Sequence, residues 1–190
     1  MRRTSTKVDP ASRLGLVSQI LIMGGAALVA ASLQPAAAYA DSAQVARGKY
    51  LVRLAGCTDC HTPGHFLGKP DMSRYLAGSE VGFEVPGVGT VVGRNLTPDK
   101  ETGIGSWTLE QITTAIRTGV RPDGRSLSPI MPFAAYAGMS QSDADAIAIF
   151  LKTLPPVKHN IPGPFTANEK PTTARWRLVP PGTSATAGAP

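Results

Sequence analysis

Apolar positions along this 190-residue chain follow three regimes: one mostly apolar run near the start, three stretches at helical spacing, and long intervals with no period. The first periodic stretch, Ser42 to Gly56, sets Val45, Gly48, Val52 and Ala55 on one face and Arg47, Lys49 and Arg53 off it, with Ser42 placed to cap a helix. Gly48 inside that helix costs about 1 kcal/mol relative to Ala, which points to a close crossing with another helix. The second stretch follows Trp107. Thr108 and Gln111 form a capping box, Ile112, Ala115 and Ile116 make the apolar face, and Gly119 stops the helix. The third begins at Ser140, carries Ile147, Ala148, Leu151 and Leu154 on one side, and ends at Pro155-Pro156. Phe150 is placed to meet the first helix near Gly48. Between the first two helices, Thr62 to Ser106 reads as turns and short extended pieces, with a hairpin-like loop over Val81 to Val92. From Val157 onward Pro, Thr, Ala and Gly dominate. Thr183 to Pro190 reads as disordered, and Ile161 to Pro181, with Phe165, Trp176 and Leu178, either wraps the domain or meets a partner.

The mostly apolar run, Leu14 to Leu33, changes the picture of the N-terminus. It follows a basic head of Arg2, Arg3, Lys7 and Arg13 and precedes Ala38-Tyr39-Ala40, a small-x-small cleavage pattern, so residues 1–40 are expected to be an export signal. The alternative is an uncleaved membrane anchor, which Ser18, Gln19 and Gly24-Gly25 weaken. Cleavage would leave 150 residues and lower the formal charge from +6 to +3. That suits one domain with a modest core and lacks the basic stripes of a nucleic-acid binder. Aromatics are scarce at 6%, and 20 Gly with 17 Pro imply long loops, so a large apolar cofactor would supply core that the side chains do not.

The candidate chemistry sits at the end of the first helix, in Cys57-Thr58-Asp59-Cys60-His61. These are the chain's two cysteines, and Cys-x-x-Cys-His is the attachment signature of c-type haem. Two thiols about one helical turn apart each add to a haem vinyl group, and the adjacent His falls beneath the iron. Three other uses of the pair compete with haem. A thioredoxin-like couple wants a βαβ context, a zinc site wants four ligands with only His61, His65 and His159 to complete it, and a disulfide here would close a tiny loop. Export agrees with haem attachment, because an oxidising compartment suits cysteines that must not stay free. One motif implies one haem.

A second axial ligand is expected from a loop crossing the face opposite His61. Met131, held between Pro129 and Pro132, is favoured over Met139, which stands just before the cap Ser140, and over Met72. His65 is a weaker rival and reads as a solvent-facing loop residue. Trp107, through its indole N–H, and Arg94 and Asn95 are candidates for the haem propionates.

Helix, Cys57 to His61, middle helix, Met loop and closing helix together resemble a class I cytochrome c domain. More narrowly, Asn95-Leu96-Thr97-Pro98-Asp99, Thr102-Gly103-Ile104-Gly105, Trp107, Met131-Pro132-Phe133 and Met139-Ser140 resemble the haem domains in cytochrome c subunits of membrane-associated bacterial dehydrogenases. Those subunits serve alcohol, aldehyde and gluconate dehydrogenases and some molybdenum hydroxylases. The likeness covers about Ala43 to Pro156. It implies that Met131, before Pro132, is the iron ligand, and it departs in size, since many such subunits carry three haem motifs. The resulting expectation is a mainly α fold: a single class I cytochrome c domain over 41–156, N- and C-terminal helices crossing, a middle helix, long loops around one covalent haem, and a Pro-rich extension over 157–190. The expected function is electron transfer in the periplasm, from a partner dehydrogenase to the respiratory chain, with possible membrane contact through that partner or an uncleaved signal. The alternative is a haem enzyme, a peroxidase or sulfur-compound oxidoreductase, for which His65 and Glu84 are the available acid/base groups.

Overall fold

The computed structural model describes residues 36–179 and residue 181. The basic head, the apolar run over Leu14 to Leu33 and the segment Thr183 to Pro190 lie outside the described residues. The chain divides into Met1–Asp41 and Ser42–Pro190, and the following concerns the second unit. Among the described residues, no helix is long and apolar enough to cross a membrane.

Three longer helices carry the core. They are α1 (Ala36–Leu54), α3 (Leu109–Thr118) and α5 (Gln141–Thr153), with two short helices, α2 (Cys57–His61) and α4 (Phe133–Tyr136), between them. α3 starts on the expected capping box: Thr108 Oγ1 accepts from the Gln111 N–H at 3.1 Å, and the Thr108 N–H donates to Gln111 Oε1 at 2.9 Å. α5 starts with Ser140 Oγ accepting from the Asp143 N–H at 3.1 Å. Val52 from α1, Ile112 from α3, and Ile147 and Phe150 from α5 close one core together with Leu76 and Ile104 from the loops. α1 and α5 meet at Gly48, where any Cβ would collide with the carbonyl oxygen of Ala146 and with the Phe150 side chain. The penalty of glycine within a helix is accepted there because nothing larger fits. On the surface of the same crossing Arg47 donates to both carboxylate oxygens of Asp143, at 2.9 and 3.2 Å. The pair is exposed and adds little to stability.

The expectation of a mainly α fold is corrected. Among the described residues five helices, three of them of seven residues or more, stand beside one four-stranded mixed sheet, so the fold is not clearly mainly α. Strands β1 (Val81–Val85) and β2 (Gly89–Val92) form the anticipated hairpin, pairing Gly82 with Val92 and Val85 with Gly89. The rest comes from the segment that composition assigned to an extension. β3 (Phe165–Thr166) pairs antiparallel with β2, and β4 (Ala174–Arg177) pairs parallel with β1, giving the order β3-β2-β1-β4. A two-residue strand and an exposed four-residue strand among prolines and threonines carry no alternation to read, so only the pairing partner defines them.

Candidate haem-binding site

α1 ends at Leu54 and the cysteine motif forms its own short helix, α2, so both thiols and the His61 ring are presented within about one turn. Loop 75–79 and the exit of β2 pin it. The Gly78 N–H donates to the His61 carbonyl at 2.7 Å, and the Leu76 N–H donates to Thr62 Oγ1 at 3.1 Å. Gly93 passes so close to Cys60 that a Cβ would overlap the Cys60 carbonyl oxygen. That contact brings the next residue, Arg94, onto the histidine.

The decisive bond is at the ring. His61 Nδ1 lies 2.6 Å from the carbonyl oxygen of Arg94, which can only accept, so Nδ1 carries the proton and Nε2 keeps its lone pair. Burial holds the ring below the ordinary imidazole range, the bond to Arg94 opposing it in part, and the neutral form is the one that binds a metal. A metal-binding histidine whose other nitrogen donates to a backbone carbonyl is the usual arrangement that orients such a ligand. The two thiols are not joined to each other. Burial pushes Cys57 up to about 11 and raises Cys60 as well. A thiol redox couple needs a stabilised thiolate, and these groups are tuned the other way. The residues present therefore fit a covalently attached haem with His61 as its proximal ligand.

The three methionines are placed differently. Met139 packs against the hydrophobic core, and Met72 is 62% exposed. Met131 is half-buried in a fixed turn, its N–H donating to Ser128 O at 2.9 Å and its carbonyl accepting from the Phe133 N–H at 2.8 Å. Trp107 packs on the core, and its indole N–H makes no hydrogen bond within the described residues. The Arg121 guanidinium lies over the Trp107 ring, 5.5 Å from its centroid. Asp123 is paired with Arg125 at 2.7 Å and with Arg121 at 3.4 Å, and the bonds to Arg125 draw its carboxyl down to about 2. Burial, then Arg121 and Arg125, lower the pKa of Arg94, so positive charge is in surplus on this side. Arg94 directs its guanidinium to the carbonyls of Ile161, Pro162 and Gly163. Asn95 is buried, and its amide is fully engaged: Nδ2 donates to Thr102 Oγ1 at 3.0 Å and Val157 O at 2.7 Å, while Oδ1 accepts from the Thr97 N–H and hydroxyl at 2.9 and 2.7 Å.

His65 turns toward the motif itself, its Nε2 lying 3.4 Å from Asp59 Oδ1. Glu84 is bound by Arg175 at 2.5 Å and Arg177 at 2.9 Å. One neighbour escaped the sequence reading. Tyr136 on α4 donates its hydroxyl to the Ala55 carbonyl at 2.6 Å, and burial beside Cys57, Cys60 and Asp59 pushes it up to about 12. A tyrosine five residues past Met131, in a chain poor in aromatics, was the available signal.

No family model matches the chain. It is 39% identical over 140 residues to the cytochrome c subunit of the alcohol dehydrogenase (quinone) of Gluconobacter oxydans, covering 73% of this chain and 27% of that one. The fructose dehydrogenase cytochrome subunit of Gluconobacter japonicus is 32% identical over 157 residues, with 79% and 30% covered. The gluconate 2-dehydrogenase cytochrome c subunit of Pantoea cypripedii is 36% identical over 146 residues, with 74% and 30% covered. This chain resembles the cytochrome c subunits of bacterial dehydrogenases. It spans less than a third of the length of these three relatives.

Proposed function

We propose that this chain is an exported, single-haem c-type cytochrome that carries electrons from a partner dehydrogenase toward the respiratory chain. The observation that carries the reading is the His61 ring, half-buried, held toward its neutral form and fixed through Nδ1 so that Nε2 keeps its lone pair, directly beside Cys57 and Cys60. A bound haem c supplies a one-electron ferric/ferrous couple. The chain's part is to hold it. Cys57 and Cys60 fasten the porphyrin covalently, and His61 occupies the proximal position. Met131 closes the distal one, since Met139 is committed to the core and Met72 to solvent. Closing both faces suits electron transfer rather than substrate binding. Trp107 is the donor for a propionate on the side where positive charge is in surplus, the Arg94 guanidinium being committed to the carbonyls of Ile161, Pro162 and Gly163. Asn95 serves that side by bracing the loop, because its own amide has no donor to spare.

One attachment motif corresponds to one haem. Residues 1–40 are the export signal, which the basic head, the apolar run and Ala38-Tyr39-Ala40 support, and the mature protein works in the periplasm, held at the membrane through its partner. The partner is read from the relatives, which are cytochrome subunits of dehydrogenases. A haem enzyme would need acid and base groups free beside the iron. His65 is paired with Asp59, and Glu84 with Arg175 and Arg177, which favours electron transfer.

The test is the absorption spectrum of the purified protein, oxidised and reduced, with Met131→Ala beside it. The expected parent spectrum is low-spin with a sulfur-to-iron charge-transfer band in the ferric form, and the variant loses the band. A high-spin ferric parent would reverse the reading toward a haem enzyme, and a band that survives in the variant would move the ligand to another methionine.

A further inference from the structure

His61, Arg94 and the C-terminal segment form one continuous hydrogen-bonded path. The Arg94 carbonyl takes the His61 Nδ1 proton, and the side chain of the same residue reaches in another direction. Nη1 donates to the carbonyls of Ile161 and, at 3.3 Å, Pro162, and Nη2 donates to that of Gly163. Segment 157–163 is itself tied down just before this clamp. The Val157 N–H donates to Thr97 Oγ1 at 3.1 Å, the His159 N–H donates to Thr102 Oγ1 at 3.0 Å, and the His159 ring donates through Nδ1 to Ala77 O at 2.8 Å. Ile161 is 7% exposed and lies over Gly78, the residue whose N–H binds the His61 carbonyl. The strap therefore touches both backbone neighbours that fix the histidine.

The energetics make the clamp specific. The Arg94 guanidinium is half-buried and has no ion pair among the described residues, with two further arginines nearby. Its compensation is three carbonyl oxygens, each bond assisted by the charge. Without them a desolvated cation would be left unpaired and would pull its backbone toward water.

We propose that Arg94 is a positioning residue for the proximal histidine, and that segment 157–163 is the strap that sets it. The clamped side chain holds the carbonyl of its own residue on His61 Nδ1, and so sets how strongly Nε2 donates to the iron. The proposal rests on the reading of His61 as an iron ligand. A firm bond from Nδ1–H to a carbonyl makes the ring more basic and favours the ferric state. Loosening the strap therefore raises the reduction potential. A role of Arg94 as counter-charge to a propionate predicts the opposite sign, because removing a cation beside the haem also favours the ferric state.

The experiment uses the full haem-loaded chain with Arg94→Ala, Arg94→Lys, Ile161→Ala and the Arg94→Ala/Ile161→Ala pair. Ile161→Ala loosens the strap and changes no charge. Midpoint potentials are measured with exchange of the Nδ1 proton in the ferrous, 15N-histidine-labelled protein. Arg94→Ala is expected to shift the reduction equilibrium about tenfold toward ferrous, 59 mV for one electron, and to speed proton exchange. Ile161→Ala shifts both in the same direction by less, Arg94→Lys retains part of the parent behaviour, and the double variant goes no further than Arg94→Ala. A potential that falls in Arg94→Ala while Ile161→Ala stays at the parent value overturns the proposal in favour of the counter-charge. Unchanged potential and exchange, with a lowered unfolding midpoint, reduce Arg94 to a structural brace. If the denatured parent yields no pyridine haemochrome, or His61→Ala keeps the parent spectrum, the haem reading falls and the proposal with it. Haem and His61 ligation intact with unmoved potentials reject the proposal alone.

Discussion

α1, α3 and α5 bury Val52, Ile112, Ile147 and Phe150 against one another, whereas β4 leaves Trp176 57% exposed and holds its place through pairing with β1 and two arginines on Glu84. Burying a large apolar side chain is worth about 1.5–3 kcal/mol, and an exposed ion pair contributes under about 1 kcal/mol. The helical part is thus a cooperative core and the sheet an attachment to it, joined at the loop that carries Arg94 and Asn95. Regions so different in burial open at different free energies.

The strongest way to break that division is Phe150→Ala. Phe150 is 6% exposed and fills the crossing with α1, and its truncation is expected to cost about 4 kcal/mol. Helical circular dichroism and strand exchange should then be lost together in a denaturant titration, because the sheet buries few side chains of its own, chiefly Val81, Thr90 and Val92. Sheet exchange that outlasts helix loss would mean that the strands fold independently. Asn95→Ala acts on the joint and ranks next. It removes four hydrogen bonds and leaves buried Val157 O and Thr97 N–H short of partners, a loss of about 3 kcal/mol. Unlike Phe150→Ala, it should free residues 157–179 first, seen as faster amide exchange there while α5 stays protected.

The same division explains what could be read along the chain. Thr108 with Gln111, Ser140 with Asp143, and Cys57 to His61 each state their structure within three or four residues, and Gly48 betrays a crossing because glycine inside a helix has a cost that something must offset. The sheet is written at a distance: Glu84 and Arg175 stand 91 residues apart, and neither is unusual in its own neighbourhood. At the site, part of what positions His61 is backbone rather than side chain. Arg94 was singled out for its guanidinium, but what touches His61 is its carbonyl, 33 residues along the chain, which any residue possesses. Asn95 was selected as a polar donor, and the fold spends both donors on Thr102 and Val157. Backbone partners carry no side-chain signature, so they become visible only when the loops are closed.

The gentlest test separates the sheet from the core by acid. Arg177 and Arg175 hold the Glu84 carboxyl below its ordinary range, so the folded state binds its proton less readily than the unfolded chain does. A carboxylate depressed in this way stabilises above its unfolded value near 4.5, and that contribution is lost as pH falls through the lower folded value. Amide protection factors at residues 174–179, that is exchange rates corrected for the intrinsic pH dependence, should therefore fall as pH drops below about 4.5, while those of α5 change less. Asp143 is also held low, by Arg47, so acid acts on the helix crossing as well and a control is needed. Glu84→Gln supplies it: a neutral amide cannot titrate, so the strand should be looser than in the parent at pH 7 and its release flat across the acid window. If release in Glu84→Gln follows acid as it does in the parent, the latch on β4 is some other carboxylate and the two arginines hold Glu84 without holding the strand.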